Sequence, residues 1–286
     1  MARILAPDDY LNEVLVLVVR YACLCFFMHG ASSLLSAAFV DYYRAEETVK
    51  NKRFLHGVRE RAWATWCKRV TWDYTICSAV YCSGIFYFYV MGMMEFKGDL
   101  NARWTGISAA TKHGISFHVA SAMYETICYA LSGKEFVFYL HHVVTIGCCS
   151  SMLLTGRAHF WCCVLGLVEG SNVPLCFLHV FGRIPALKAS ILYVANGALL
   201  WIAYVILRLP IPAAMFLLGK DLYYNTKAQG GPAWVVEDET FQRAWVIFLF
   251  LSGSFLWLLS MVWFQKITNG LLSAISGKKS NKEKTS

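Results

Sequence analysis

The sequence predicts an all-α fold, a multi-pass transmembrane bundle of about seven helices. Three observations predict it. Hydrophobic residues make up 57% of the 286 residues, and the mean hydropathy is +0.47. Only 15% are charged, against about a quarter in soluble domains. So few charges cannot cover a water-exposed surface, whereas lipid requires none. The apolar residues also fall in runs of roughly 20, the length that crosses about 30 Å of hydrocarbon at 1.5 Å per residue. Just 6 prolines are present to interrupt them, and many Trp and Tyr residues lie near the run ends, where they anchor at the headgroup level.

Taken in order, the first span runs from near Leu15 to Val40 and contains Arg20 and His29. Met1 to Glu13 lacks the basic start and cleavage site of a removable signal, so this span is expected to remain as an anchor. The second runs from near Trp72 to Met94. The third, near Thr105 to Leu131, is the least apolar and carries Lys112, His113, His118 and Glu125. The fourth runs from near Phe136 to Leu154 and the fifth from near Ala158 to Phe181. The sixth starts near Ala189 and ends at Leu209, or at Leu218 if Pro210 and Pro212 only kink it. The seventh runs from near Ala244 to Phe264. No internal or inverted repeat and no Gly-broken pair of helices is evident, which ranks a transporter or channel behind other readings. The expected division is an anchor and basic loop over 1–71, a membrane domain over 72–265 and a basic tail over 266–286.

The formal net charge is +8. Its excess lies in loops and tail, which fits positive-inside topology rather than nucleic-acid binding. The first loop (Arg44, Lys50, Lys52, Arg53, Arg59, Arg61, Lys68, Arg69) and the tail are expected in the cytosol, so an odd number of spans puts the N-terminus in the lumen. The acidic loop between Lys220 and Arg243 then falls on the lumenal side. The chain ends Lys282-Glu283-Lys284-Thr285-Ser286. Lys282 and Lys284 match a dilysine retrieval signal of the endoplasmic reticulum, a pattern that coat proteins recognise on cytosolic tails. Eleven cysteines, mostly inside apolar runs and without a C-x-x-C pair, argue against a disulfide framework and against zinc. Palmitoylation of Cys67 has weak support.

Ionisable residues within membrane spans cost a few kcal/mol each and are functional candidates by default. If the third and fourth spans meet at the turn 132–135, they are antiparallel neighbours. Glu125, His141 and His142 then share a layer roughly 9 Å deep. Thr145 follows His141 one turn on, and Tyr124 adjoins Glu125. Glu169 lies near the middle of the fifth span with Asn172 three residues on, and Arg208 either reaches the interface or pairs with Glu169. A carboxylate beside an imidazole fixes its tautomer and leaves a general base. Adjacent histidines point about 100° apart on a helix, so one of them faces a given partner. No metal is expected, because two ligands on one helix face need a spacing of four residues.

These residues resemble the TLC-domain family. His141-His142-Val143-Val144-Thr145 resembles the start of its signature, and Glu169-Gly170-Ser171-Asn172-Val173-Pro174 the segment that follows in non-synthase members. Tyr124-Glu125 and Arg208 fall at matching places. The resemblance implies a helical bundle of the endoplasmic reticulum that handles or senses lipids. It casts His141, His142, Glu125 and Glu169 as catalytic candidates, and Tyr124, Thr145, Asn172 and Arg208 as lipid-binding ones. The paired aspartates of the ceramide synthases are absent, so the chain is closer to the non-synthase members. The leading expectation is a protein that binds or regulates membrane lipids. The first alternative is a lipid N-acyltransferase using the histidine pair as base, with acyl-CoA as substrate and no cofactor. The second is a secretory-pathway cargo or transport factor.

Overall fold

The computed structural model describes residues 7–48, 58–96, 98, 100–132, 136–228 and 239–275. Lys282 and Lys284, the turn 133–135 and the side chains of the basic loop lie outside the described residues. All described elements are helical: α1 (Asp8–Thr48), α2 (Val58–Phe96), α3 (Leu100–Thr105), α4 (Ala109–Ser132), α5 (Phe136–Thr155) and α6 (His159–Gly166) come first. A 3-10 turn (Leu167–Ser171) then leads to α7 (Asn172–Arg183), α8 (Pro185–Lys188), α9 (Ile191–Leu207), α10 (Ile211–Ala228) and α11 (Glu239–Ile275). The chain is an all-α multi-pass bundle.

Among the described residues, six segments are long and apolar enough to cross a membrane: Asp8–Ser33, Thr75–Phe96, Phe136–Thr155, His159–Arg183, Ile191–Asp221 and Ala244–Ile275. The expected span missing from these six is the third, which corresponds to α4, whose 24 residues reach about 36 Å. It is long enough to cross but not apolar enough to stand among the six. Its surroundings explain why. α4 packs against α1, α2 and α5, and Ile115 through Ala122 are all buried. A helix enclosed by other helices meets protein rather than lipid, so polar residues with partners are tolerated there.

α1 is the least buried of the six spans, and polar contacts pin it. The Tyr21 hydroxyl lies 2.7 Å from His113 Nδ1, His29 Nδ1 lies 2.5 Å from the Tyr124 hydroxyl, and Tyr10 lies 3.1 Å from His159 Nε2. Lys112 Nζ pairs with Glu13 Oε1 at 2.6 Å.

Two of the spans are interrupted: the first break runs against the expected continuous fifth span, and the second lies at the prolines where the sixth was expected to end or kink. In His159–Arg183 the interruption is the 3-10 turn. Pro174 in the first turn of α7 has no N–H to give, and its ring would clash with the Gly170 carbonyl if α6 continued through it. In Ile191–Asp221 the helix stops at Leu207. Pro210 and Pro212 cannot continue the ladder, and Arg208 and Leu209 both donate to the Tyr204 carbonyl, at 3.0 and 3.2 Å. Glu169 stands on the first break and Arg208 at the second.

The 3-10 turn lies close against α2 because of two glycines. A Cβ on Gly166 would sit 2.1 Å from Tyr89 Cε2, and one on Gly170 would sit 2.7 Å from Phe86 Cδ2. Gly166→Ala should therefore destabilise the protein by roughly 1–3 kcal/mol, read as a lower melting temperature in detergent. Gly30→Ala, where nothing lies within 4 Å, should leave it unchanged or raise it. Equal melting for the two variants would contradict this packing.

Candidate functional site

The polar residues of the bundle gather between α2, α4, α5 and the two breaks. α2 contributes a single stripe: Ser78, Tyr81, Cys82, Ile85 and Tyr89 are all buried and recur at helical spacing. α4 contributes His118 and Glu125, seven residues and two turns apart, hence on one face. α5 turns His142, Thr145, Cys149 and Met152 inward.

Around Glu125, the α4–α5 pairing expected from the sequence is present. His142 Nε2 lies 3.3 Å from Glu125 Oε2. The other carboxylate oxygen accepts from Tyr81 Oη at 2.7 Å and from Ser78 Oγ. A carboxylate oxygen only accepts, so the neighbouring Glu125 favours the tautomer of His142 with its proton on Nε2, which leaves Nδ1 its lone pair. His142 is 6% exposed, and its Nδ1 is buried without a hydrogen-bond partner. His141 points elsewhere, as the helix geometry requires. Its ring lies edge-on to Trp263 of α11, with centroids 5.5 Å apart, and its Nδ1 is also buried without a partner.

Glu169 belongs to a second, longer arrangement. The Tyr89 hydroxyl lies 2.7 Å from His118 Nδ1, and His118 Nε2 lies 3.5 Å from Glu169 Oε1. Asn172 Nδ2 donates to Glu169 Oε2 at 2.8 Å, and Arg208 Nη2 donates to Asn172 Oδ1 at 2.8 Å. Arg208 Nε donates to Ser171 Oγ at 2.7 Å and Nη1 to Ser260 Oγ at 3.1 Å, while Nη2 also reaches the Val168 carbonyl at 3.5 Å. Arg208 therefore does not pair directly with Glu169 or reach an interface. It is 3% exposed, and Asn172 bridges the two charges. Placement at the C-terminus of α9 adds the favourable end of a helix dipole beneath the guanidinium.

These two arrangements divide the expected site residues. Glu169, Asn172 and Arg208 sit in a chain that is charge-balanced and hydrogen-bonded at each link. Glu125 and His142 sit in a pair that keeps an open acceptor. Thr145 lies on the His142 face of α5 and is buried. Tyr124 turns away from the pair toward α1 and packs edge-on to Tyr81, with centroids 6.0 Å apart. His118 and Tyr89 were not singled out from the sequence. The spacing of His118 from Glu125 carries that signal, as does the Ser78–Tyr89 stripe. Among the described residues, no group of three or more His, Cys, Asp or Glu side chains could hold a metal ion.

A family model described as the TLC domain matches residues 31–269. The chain belongs to the TLC-domain family. The match begins within α1 and ends within α11, so both arrangements lie inside the TLC domain. No curated protein and no solved structure matches the chain.

In this TLC domain, Arg208→Met should cost about 3–5 kcal/mol, because Glu169 stays buried without its counter-charge. The double variant Arg208→Met/Glu169→Met should recover part of that loss. Melting curves of the four proteins check it. Simple additivity of the two losses would mean that Asn172 transmits no coupling.

Proposed function

We propose that this protein binds a lipid whose small head group donates a hydrogen bond, and that it serves membrane lipid homeostasis in the endoplasmic reticulum. The observation that carries the reading is the open Nδ1 of His142. A buried polar atom without a partner costs about 1–3 kcal/mol, and an acceptor held in place by a carboxylate on its far side is suited to an incoming hydroxyl or amine. Depth supports a lipid over a soluble ligand. His142 is six residues into α5 and Glu125 seven from the end of α4, roughly 9–10 Å inside the bundle. Lys282 and Lys284 support the compartment, and the basic loop and tail support a cytosolic C-terminus.

The same pair favours a second reading, acyl transfer. A carboxylate-oriented imidazole with its other nitrogen free is a general base. His142 Nδ1 would take the proton of the lipid hydroxyl or amine as that oxygen or nitrogen attacks the acyl-CoA thioester carbonyl. The C–S bond then breaks, and the proton passes to the departing thiolate. Glu125 keeps the ring oriented and balances the imidazolium.

Both readings are tested on the full chain in nanodiscs. Native mass spectrometry should show a long-chain alcohol bound in preference to its methyl ether, and His142→Ala should weaken alcohol binding by roughly fivefold to tenfold. Equal binding of alcohol and ether would sink the head-group reading. Release of free coenzyme A on adding palmitoyl-CoA, dependent on His142, would establish transfer. For the compartment, Lys282→Ser/Lys284→Ser should move the protein from the endoplasmic reticulum to later membranes. An unchanged distribution by fluorescence microscopy would remove the tail as its address.

A further inference from the structure

Two thiols meet where α5 turns back into α6. Cys149 Sγ lies 3.8 Å from Cys162 Sγ, and both residues are 5% exposed. The helices are joined by the short turn 156–158. Cys162 lies three residues past the start of α6 and Cys149 six before the end of α5, roughly 5 and 9 Å from that turn. Their sequence neighbours point elsewhere, as adjacent residues on a helix do. Cys148 shares a side-chain hydrogen bond with Ser252 of α11, and a Cβ on Gly92 of α2 would sit 3.0 Å from Cys163 Sγ. The Cys149 sulfur also lies 3.9 Å from His118 Nδ1, the nitrogen that the Tyr89 hydroxyl meets at 2.7 Å. An imidazole beside a thiol favours the thiolate, either by taking its proton or by its own charge. The spacing of 13 residues carries no motif, so the pair is visible only in the fold.

We propose that Cys149 and Cys162 form a redox site, joined by a disulfide when a peroxide enters this end of the bundle. Burial selects the oxidant. Exchange with the disulfide of another protein needs an accessible sulfur, whereas hydrogen peroxide is small and uncharged. The Cys149 sulfur attacks one peroxide oxygen, the O–O bond breaks, and the thiol proton leaves with the departing hydroxide as water. The Cys162 sulfur then attacks the sulfenic sulfur of Cys149. The S–O bond breaks, and the second thiol proton leaves with that hydroxide as water. Two thiols lose two electrons in all, and one peroxide becomes two waters. The sulfurs close by about 1.8 Å to bond. The bond ties α5 to α6 seven residues ahead of Glu169, and it removes the Cys149 S–H from beside His118, whose Nε2 faces Glu169.

The full chain in nanodiscs is treated with hydrogen peroxide, blocked with N-ethylmaleimide in denaturant and cut with trypsin. Arg157 lies between the two cysteines, so cleavage leaves Cys149 on the fragment 135–157 and Cys162 on the fragment 158–183. The two fragments should appear joined and should separate on adding dithiothreitol, and tandem mass spectrometry should place the bond between Cys149 and Cys162. Cys149→Ala and Cys162→Ala should each lose the joined product, whereas Cys148→Ala and Cys163→Ala should keep it. The unaltered protein carries the test even if a variant does not fold. Fragments that stay separate would overturn the proposal, as would a bond that falls on Cys148, Cys163 or Cys176 instead. Joining as fast in the chain denatured beforehand as in the folded one would overturn it too, because the fold would then not be what brings the sulfurs together.

Discussion

A guanidinium keeps its proton in hydrocarbon, and satisfying one such group organises much of this bundle. Arg208 requires acceptors from several directions. Unbroken helices offer few, because their carbonyls bond within the helix. The two interrupted spans provide what is missing: the Val168 carbonyl, the side chains of Ser171 and Asn172, and a helix C-terminus beneath the charge. Prolines create the interruptions, and glycines let the first of them lie flush against α2. Removing the guanidinium would leave both breaks without their tie and Glu169 without its counter-charge.

Once that chain is complete, it has little left to offer a ligand. This separates two imidazole–carboxylate pairs of similar composition. His118 is engaged at both ring nitrogens, by Tyr89 and by Glu169. His142 is engaged at one. A residue's chemical availability in a membrane interior thus follows from which of its bonds the fold leaves open, and not from the residue type alone. The second histidine, His141, has an open nitrogen as well, but its ring packs edge-on to Trp263 of α11, and among the described residues no carboxylate orients it.

Much of the architecture was legible in the sequence because hydropathy is additive along the chain. The apolar runs located the starts of the six spans to within about two turns, although the last continues to Ile275, about three turns past the expected Phe264, and the short link between α4 and α5 put Glu125 beside His142. The interruptions were less legible. The expected fifth span runs through Pro174, and the break before it goes with the close approach of Phe86 and Tyr89, which Gly166 and Gly170 permit. From the sequence, Arg208 either reaches the interface or pairs with Glu169, and the structure shows neither. The intervening amide of Asn172 is set by three-dimensional spacing that no linear pattern encodes. Tyr124 was grouped with Glu125 by adjacency, although neighbours on a helix point about 100° apart.

The polarity of α4 also bears on how the chain is made. A segment carrying Lys112, His113, His118 and Glu125 gains little by leaving the translocon alone, since each full charge near a helix centre costs roughly 2.5–3.5 kcal/mol on insertion scales. Its partners for those groups come from α1, α2, α5 and the 3-10 turn, and the last two are synthesised after it. Stable residence of α4 in the bilayer therefore depends on helices synthesised both before and after it. During synthesis this segment waits for α5, and its retention in the membrane becomes a cooperative event of the growing bundle rather than a property of one helix.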